Sequence, residues 1–169
     1  MKELLTIYRH TGLDLQQSTL FRKAYRAIIL HDNLVLLIKS QKYGEYKFPG
    51  GGKNDHEQAF AVLKREVREE TGYTIHTKII PFGSTMEYAK DYEGKYAIFK
   101  QESRYYFCQV HNYILPLALE AYEIDYGYVP CWVMLQTAID NNQRVKSNDL
   151  IPWKERDTEI MRLLMNGRT

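Results

Sequence analysis

Residues 50–73 read GGGKNDHEQAFAVLKREVREETGY, and their reading decides the fold. Three consecutive glycines make a loop whose backbone can approach a ligand closely, since no Cβ stands in the way. Beyond the loop, Phe60, Leu63 and Val67 recur at the spacing of a buried helical stripe. Asp55, with Gln58 three residues on, resembles a capping box, so the helix is expected to begin near Asp55. Gly72 is well placed as the residue that closes it. Glu66, Glu69 and Glu70 stand at i, i+3 and i+4, on one side of that helix. At a step of about 100° per residue, Glu70 projects between Ala59 and Leu63, at the edge of the apolar stripe. Carboxylates at a helix C-terminus meet the negative end of the macrodipole. A positive partner, side chain or ion, is expected beside them.

Upstream, Tyr25 to Leu30 and Leu34 to Ile38 are continuous apolar runs separated by His31-Asp32-Asn33. They predict a β-hairpin buried on both faces. Gln41 to Gly52 reads as a loop, and residues 1–20 as a peripheral N-terminal segment, strand or helix. Downstream, Tyr73 to Ile80 suits a strand, and Gly83 to Val110 a long hairpin turning at Asp91-Tyr92-Glu93-Gly94. Leu117 to Tyr128 is an acidic, aromatic connection. Trp132 to Leu135 is expected as a last short strand and Thr137 to Asn141 as the start of a short helix. After a polar break at Ser147-Asn148-Asp149, Trp153 to Met165 forms an amphipathic helix with Ile160, Leu163 and Leu164 on one side. This order implies an α/β/α sandwich, with helices on both faces of a mixed β-sheet. The 169 residues suit a single domain, 1–169.

A net charge of +2 supplies no basic footprint, so a nucleic-acid partner is not expected. No apolar run reaches the length of a membrane span, and the first ten residues lack the pattern of a signal peptide. Cys108 and Cys131 show no metal or redox spacing. These features point to a cytoplasmic protein with reduced thiols.

By spacing, the central stretch is Gly51, five residues, Glu57, seven residues, then Arg65-Glu66-Val67-Arg68-Glu69-Glu70-Thr71-Gly72-Tyr73. This resembles the Nudix box of the Nudix hydrolases, G-x5-E-x7-R-E-U-x-E-E-x-G-U, with U a bulky apolar residue. All seven fixed positions match. With each residue type used at roughly one in fifteen, a chance match is on the order of 10⁻⁸ per window. Phe48-Pro49-Gly50 also suits the family's lead-in, whereas Tyr73 stands where an aliphatic residue is commoner.

The resemblance implies a Nudix-type sandwich and a pyrophosphohydrolase acting on a nucleoside diphosphate linked to another group. It also implies magnesium, or manganese, as the cofactor. Hard divalent cations with oxygen ligands mask phosphate charge and orient water, which this hydrolysis requires. Carried over residue by residue, Gly50, Glu66, Glu69 and Glu70 would be metal ligands, with Glu66 and Glu69 catalytic. Gly51, Glu57, Arg65 and Gly72 would hold the site in shape. Glu123 and Asp125 are candidates for a further acidic ligand or base, and Tyr88 for a substrate contact. Lys39, Lys42, Lys47 and Lys53 bracket the glycine loop and could attract a polyanion. The expected substrate is a nucleoside triphosphate, standard or not, cleaved to monophosphate and pyrophosphate. The alternatives are a nucleotide sugar or dinucleoside polyphosphate and, in another class, a non-catalytic nucleotide sensor. A homodimer built on the tyrosine-rich strands is a further alternative.

Overall fold

The computed structural model describes residues 1–54, 56–146 and 150–167. The central hairpin is β2 (Thr19–His31) and β3 (Leu34–Ser40), in the register Leu30↔Val35 and His31↔Leu34. That register leaves Asp32 and Asn33 as a two-residue turn, and Asp32 takes a φ of 50°, which aspartate tolerates. Over Ala24–Ile29 and Val35–Ile38 the strands are buried on both faces, and alternation sorts their side chains into two cores. Tyr25, Ala27, Ile29 and Leu36 face one side. Ile28, Val35 and Leu37 face the other.

Each core is closed by helices. On the first side, α1 (Ala59–Thr71) packs Val62, Leu63 and Val67 against the hairpin and ends at Gly72, whose φ of 75° is easiest for glycine. On the second side lie α3 (Leu135–Arg144), with Leu135, Ala138 and Ile139, and α4 (Trp153–Asn166), with Ile160, Met161 and Leu164. A short α2 (Ala121–Tyr126) precedes β8 (Tyr128–Met134). The expected α/β/α sandwich is the fold.

Between these layers the strands run in the order β1-β6-β7-β2-β3-β4, with β5 on β2 and β8 on β3. Here β1 is Glu3–Tyr8, β4 Tyr46–Lys47, β5 Gly50–Gly52, β6 Ile75–Lys90 and β7 Ile98–Val110. The pairs β1–β6 and β2–β7 are parallel and the rest antiparallel, so the sheet is mixed.

The segment 1–20, left open between strand and helix, contributes a strand, β1, at the edge of the sheet. Several other elements differ from the expectations. The loop 41–52 carries two short strands, because the glycines of β5 let its backbone pair closely with Ala24, Tyr25 and Arg26. Asp55 and the break at Ser147-Asn148-Asp149 lie outside the described residues, and α1 starts at Ala59 after an extended Gln58. Phe60 does not join the buried stripe. It sits two residues before Val62, roughly 200° away on the helix, is 48% exposed, and meets Tyr106 edge-on. Leu163 is likewise 40% exposed, and Met161 takes its place in the core. The connection 117–128 contains α2, closed by a reciprocal capping box between Glu120 and Glu123.

Candidate active site

The box folds so that the last turn of α1 faces the glycine loop. Glu70, on the buried stripe, is 1% exposed and has two partners there. Its Oε1 accepts from Lys47 Nζ at 2.6 Å, and its Oε2 accepts from the Gly50 N–H at 2.6 Å. The positive partner demanded by the carboxylates is therefore partly a lysine from β4. The Gly50 carbonyl accepts from Arg26 Nη1. Gly51 is required for a different reason: a Cβ there would stand 2.4 Å from the Glu66 carboxylate.

Arg65 organises the solvent side. Its Nε and Nη2 donate to the two oxygens of Glu57 at 2.9 and 3.1 Å. Its Nη1 reaches Glu66 Oε1 at 2.9 Å and Glu69 Oε2 at 3.1 Å. Glu57 thus holds Arg65, and Arg65 holds Glu66 and Glu69. Glu66 Oε2 and Glu69 Oε1 keep no hydrogen-bond donor among the described residues. Burial, then the neighbouring charge of Glu70, pushes the Glu66 carboxyl upward against the pull of Arg65.

The structure brings Glu123 to the same place. Its Oε2 accepts from the Glu120 N–H at 2.8 Å and its Oε1 from Tyr122 Oη at 3.1 Å. Burial and then Glu70 raise its carboxyl to about 7. Asp125, two residues on, is instead 62% exposed and pairs with Lys42 at 2.6 Å. Tyr88 stacks on Tyr8 with ring centroids 5.2 Å apart. It follows Glu87 on β6 and so points from the other face of that strand. Neither Asp125 nor Tyr88 joins the carboxylates. Of the lysines around the loop, only Lys47 enters the site.

The donors suit a hard divalent cation in kind. They are crowded carboxylate oxygens, two of them without a protein donor, and Arg65 alone does not relieve the charge on Glu66. In their present arrangement no three His, Cys, Asp or Glu side chains converge on one point among the described residues. Glu70 and the Gly50 carbonyl are occupied by Lys47, the Gly50 N–H and Arg26.

Beside the carboxylates opens a cavity of about 290 Å³. Arg9, Arg22, Arg26, Lys47 and Arg156 face it, against only two carboxylates, Glu87 and Glu120. Phe99, Tyr122 and Trp153 supply flat apolar walls. Arg156 is 1% exposed and bonds Asp157 Oδ1 and Glu87 Oε2, each at 2.8 Å. Asp157 in turn accepts from Tyr105 Oη at 2.8 Å and the Phe48 N–H at 3.0 Å, which locks α4 to β7 and the start of the glycine loop. None of these cations except Lys47 was singled out by the sequence reading. Two signals were there. Arg26 interrupts an apolar run, and Arg156-Asp157 occupy the stripe of α4 that continues into Ile160 and Met161.

A model of the NUDIX domain matches residues 20–153. The chain belongs to the NUDIX family of hydrolases, which act on nucleotide-type small molecules and generally use a divalent metal. Among solved structures, the fold is similar to that of a NUDIX hydrolase from Nitrosomonas europaea. The TM-score is 0.56, with 18% identity over 82% of this chain and 88% of the other. It is also similar to a MutT NUDIX hydrolase from Burkholderia pseudomallei, with a TM-score of 0.54 and 17% identity over 83% and 97%. Comparison with curated proteins finds no match. At such identities the likeness speaks for the fold alone. No helix among the described residues is long and apolar enough to cross a membrane.

Proposed function

We propose that this chain hydrolyses a phosphoanhydride bond in a nucleoside diphosphate linked to another group, first of all a nucleoside triphosphate. The observation that carries the reading is the pair Glu66 and Glu69, held by Arg65, each with an open oxygen beside the Gly50-Gly51 loop and a cation-lined cavity. Water attacks a bridging phosphorus, one P–O bond forms and the anhydride P–O bond breaks. A triphosphate leaves as monophosphate and pyrophosphate, and the water's proton passes to a carboxylate. Glu66 and Glu69 would hold magnesium or manganese, with Glu70 and the Gly50 carbonyl forming the wall behind them. When bound, such an ion masks phosphate charge and acidifies water.

Glu69 is the proposed base where its open Oε1 faces the attacking water, leaving the ion to Glu66. Glu123 is a second candidate, since its carboxyl lies near neutrality. A screen of nucleoside triphosphates, nucleotide sugars and dinucleoside polyphosphates with magnesium, reading phosphate and pyrophosphate release, tests the activity. Tight binding of one compound with no turnover of any would instead mark a nucleotide sensor. Comparing pH–rate profiles of Glu69→Gln and Glu123→Gln assigns the base: the variant that loses the acid limb has lost it, and a limb near neutrality would mark Glu123.

A further inference from the structure

The hydrogen-bond inventory of the cavity is lopsided. The oxygens of Glu87 and the Gly50 carbonyl, its most buried acceptors, are engaged within the protein. Glu87 Oε1 takes Arg9, and Glu87 Oε2 takes Arg156 Nη1 and Gln101. Glu120 is engaged in its capping box, and the Gly50 carbonyl takes Arg26. Its donors are left over. Arg156 Nη2, Arg26 Nε and Tyr128 Oη are buried with no partner among the described residues. Arg22, an exposed residue at the mouth, forms no ion pair among the described residues, and its guanidinium lies against the loop, where a Cβ on Gly52 would meet it at 2.5 Å. Leaving several such donors buried and unmatched is costly, more so for charged groups.

A ligand that completes this set must be rich in acceptors. A nucleobase or neutral sugar brings donors of its own, and the wall keeps few acceptors for them. An oxyanion brings only acceptors, and the five lining cations still outnumber Glu87 and Glu120 together with Glu70 and Asp157, which pair with Lys47 and Arg156 behind the wall. Phe99, Tyr122 and Trp153 would flank the flat or apolar body that carries it.

We propose that this cavity binds a second oxyanion of the substrate, a phosphate or carboxylate separate from the diphosphate facing Glu66 and Glu69. It thereby selects nucleoside diphosphate conjugates carrying an extra acidic group. This rests on the hydrolase reading for the diphosphate but not for the cavity itself. Two measurements separate the two. Calorimetric titration of the full chain with inorganic phosphate, in metal-free buffer, reads the cavity alone. Binding is expected, weakened about tenfold or more by Arg22→Gln and several-fold by Tyr128→Phe, as for lost hydrogen bonds to an anion. Steady-state kinetics on matched dinucleotides, with and without an additional ribose phosphate, read selectivity. The phosphorylated member should show at least about tenfold higher kcat/KM, and Arg22→Gln should collapse that ratio. Absence of phosphate binding, binding unchanged in both variants, or equal kcat/KM for the matched pair would overturn the proposal. Phosphate binding that responds to the variants, with no turnover of the dinucleotides or of any compound in the nucleotide screen, would support the cavity and sink the hydrolase reading instead.

Discussion

The two charged regions of this molecule are built in opposite ways. Apart from Glu123 on α2, the carboxylates come from one continuous stretch, with Glu57, Glu66, Glu69 and Glu70 on or just before α1. The facing cations come from the whole chain: Arg9 just beyond β1, Arg22 and Arg26 on β2, Lys47 on β4 and Arg156 on α4. Spacing along a helix fixes the first group as soon as the helix forms. The second group exists only once the sheet has closed and α4 has docked. A local cluster can therefore fail without harming the fold, whereas a long-range cluster of buried charges is part of the fold.

That contrast can be broken experimentally. Glu66→Gln and Glu69→Gln should lower kcat by about 10²–10⁴-fold, the range of a lost general base or its equivalent. Their thermal midpoints should stay close to that of the parent. Asp157→Ala should do the reverse damage. It takes from Arg156 one of its two carboxylate partners and removes the bonds to Tyr105 and Phe48, so urea unfolding should show a loss of about 3–5 kcal/mol. If the α1 variants unfold as readily as Asp157→Ala, the division between local site and long-range frame is wrong.

Acid should sharpen the same contrast. Burial would raise the Asp157 and Glu87 carboxyls, but Arg156 outweighs it for both, aided by Arg26 at Asp157 and Arg9 at Glu87. Both are held below their ordinary range. A carboxylate with a depressed folded pKa contributes stability that is full above its unfolded value and is lost as pH falls through the folded one. Melting curves from pH 7 downward should hold until about pH 4, where free carboxyls begin to protonate, and then decline steeply. Asp157→Asn should flatten that decline.

The smallest effect concerns the helix face. Phe60→Ala should cost about 1 kcal/mol, from the edge contact with Tyr106. Leu63→Ala, in the closed core, should cost about 2–5 kcal/mol. Equal losses in denaturant titrations would mean that Phe60 is packed after all.

The same division explains what could be read in advance. The hairpin, α1, its closing Gly72 and the sandwich order were legible, because apolar period and turn chemistry are local. A supporting role for Arg65 and Glu57 was legible from the box, though not which carboxylates Arg65 would hold. The partners of Glu70 were not, since Lys47 meets it only through the bend of the glycine loop. Helix α2 was missed because six residues hold too little periodicity, although Glu120 and Glu123 at capping-box spacing, followed by Gly127, mark its ends. The cavity's arginines were missed because no spacing relates residue 9 to residue 156. Only the oddity of a charge on an apolar stripe pointed to Arg26 and to Arg156.

The edge strand β1 has a consequence for how such an enzyme can be retuned. It pairs with β6 alone, in a register that ends at Tyr8↔Tyr88, and the next residue, Arg9, reaches Glu87 at the cavity wall. The NUDIX match begins only at residue 20. A peripheral strand outside the shared catalytic span thus lends a side chain to the chamber next to it. Exchanging that strand for another would rewrite one wall, and only β6 would meet a new neighbour. Selectivity could then drift on the margin of the sheet without disturbing the machinery at its centre.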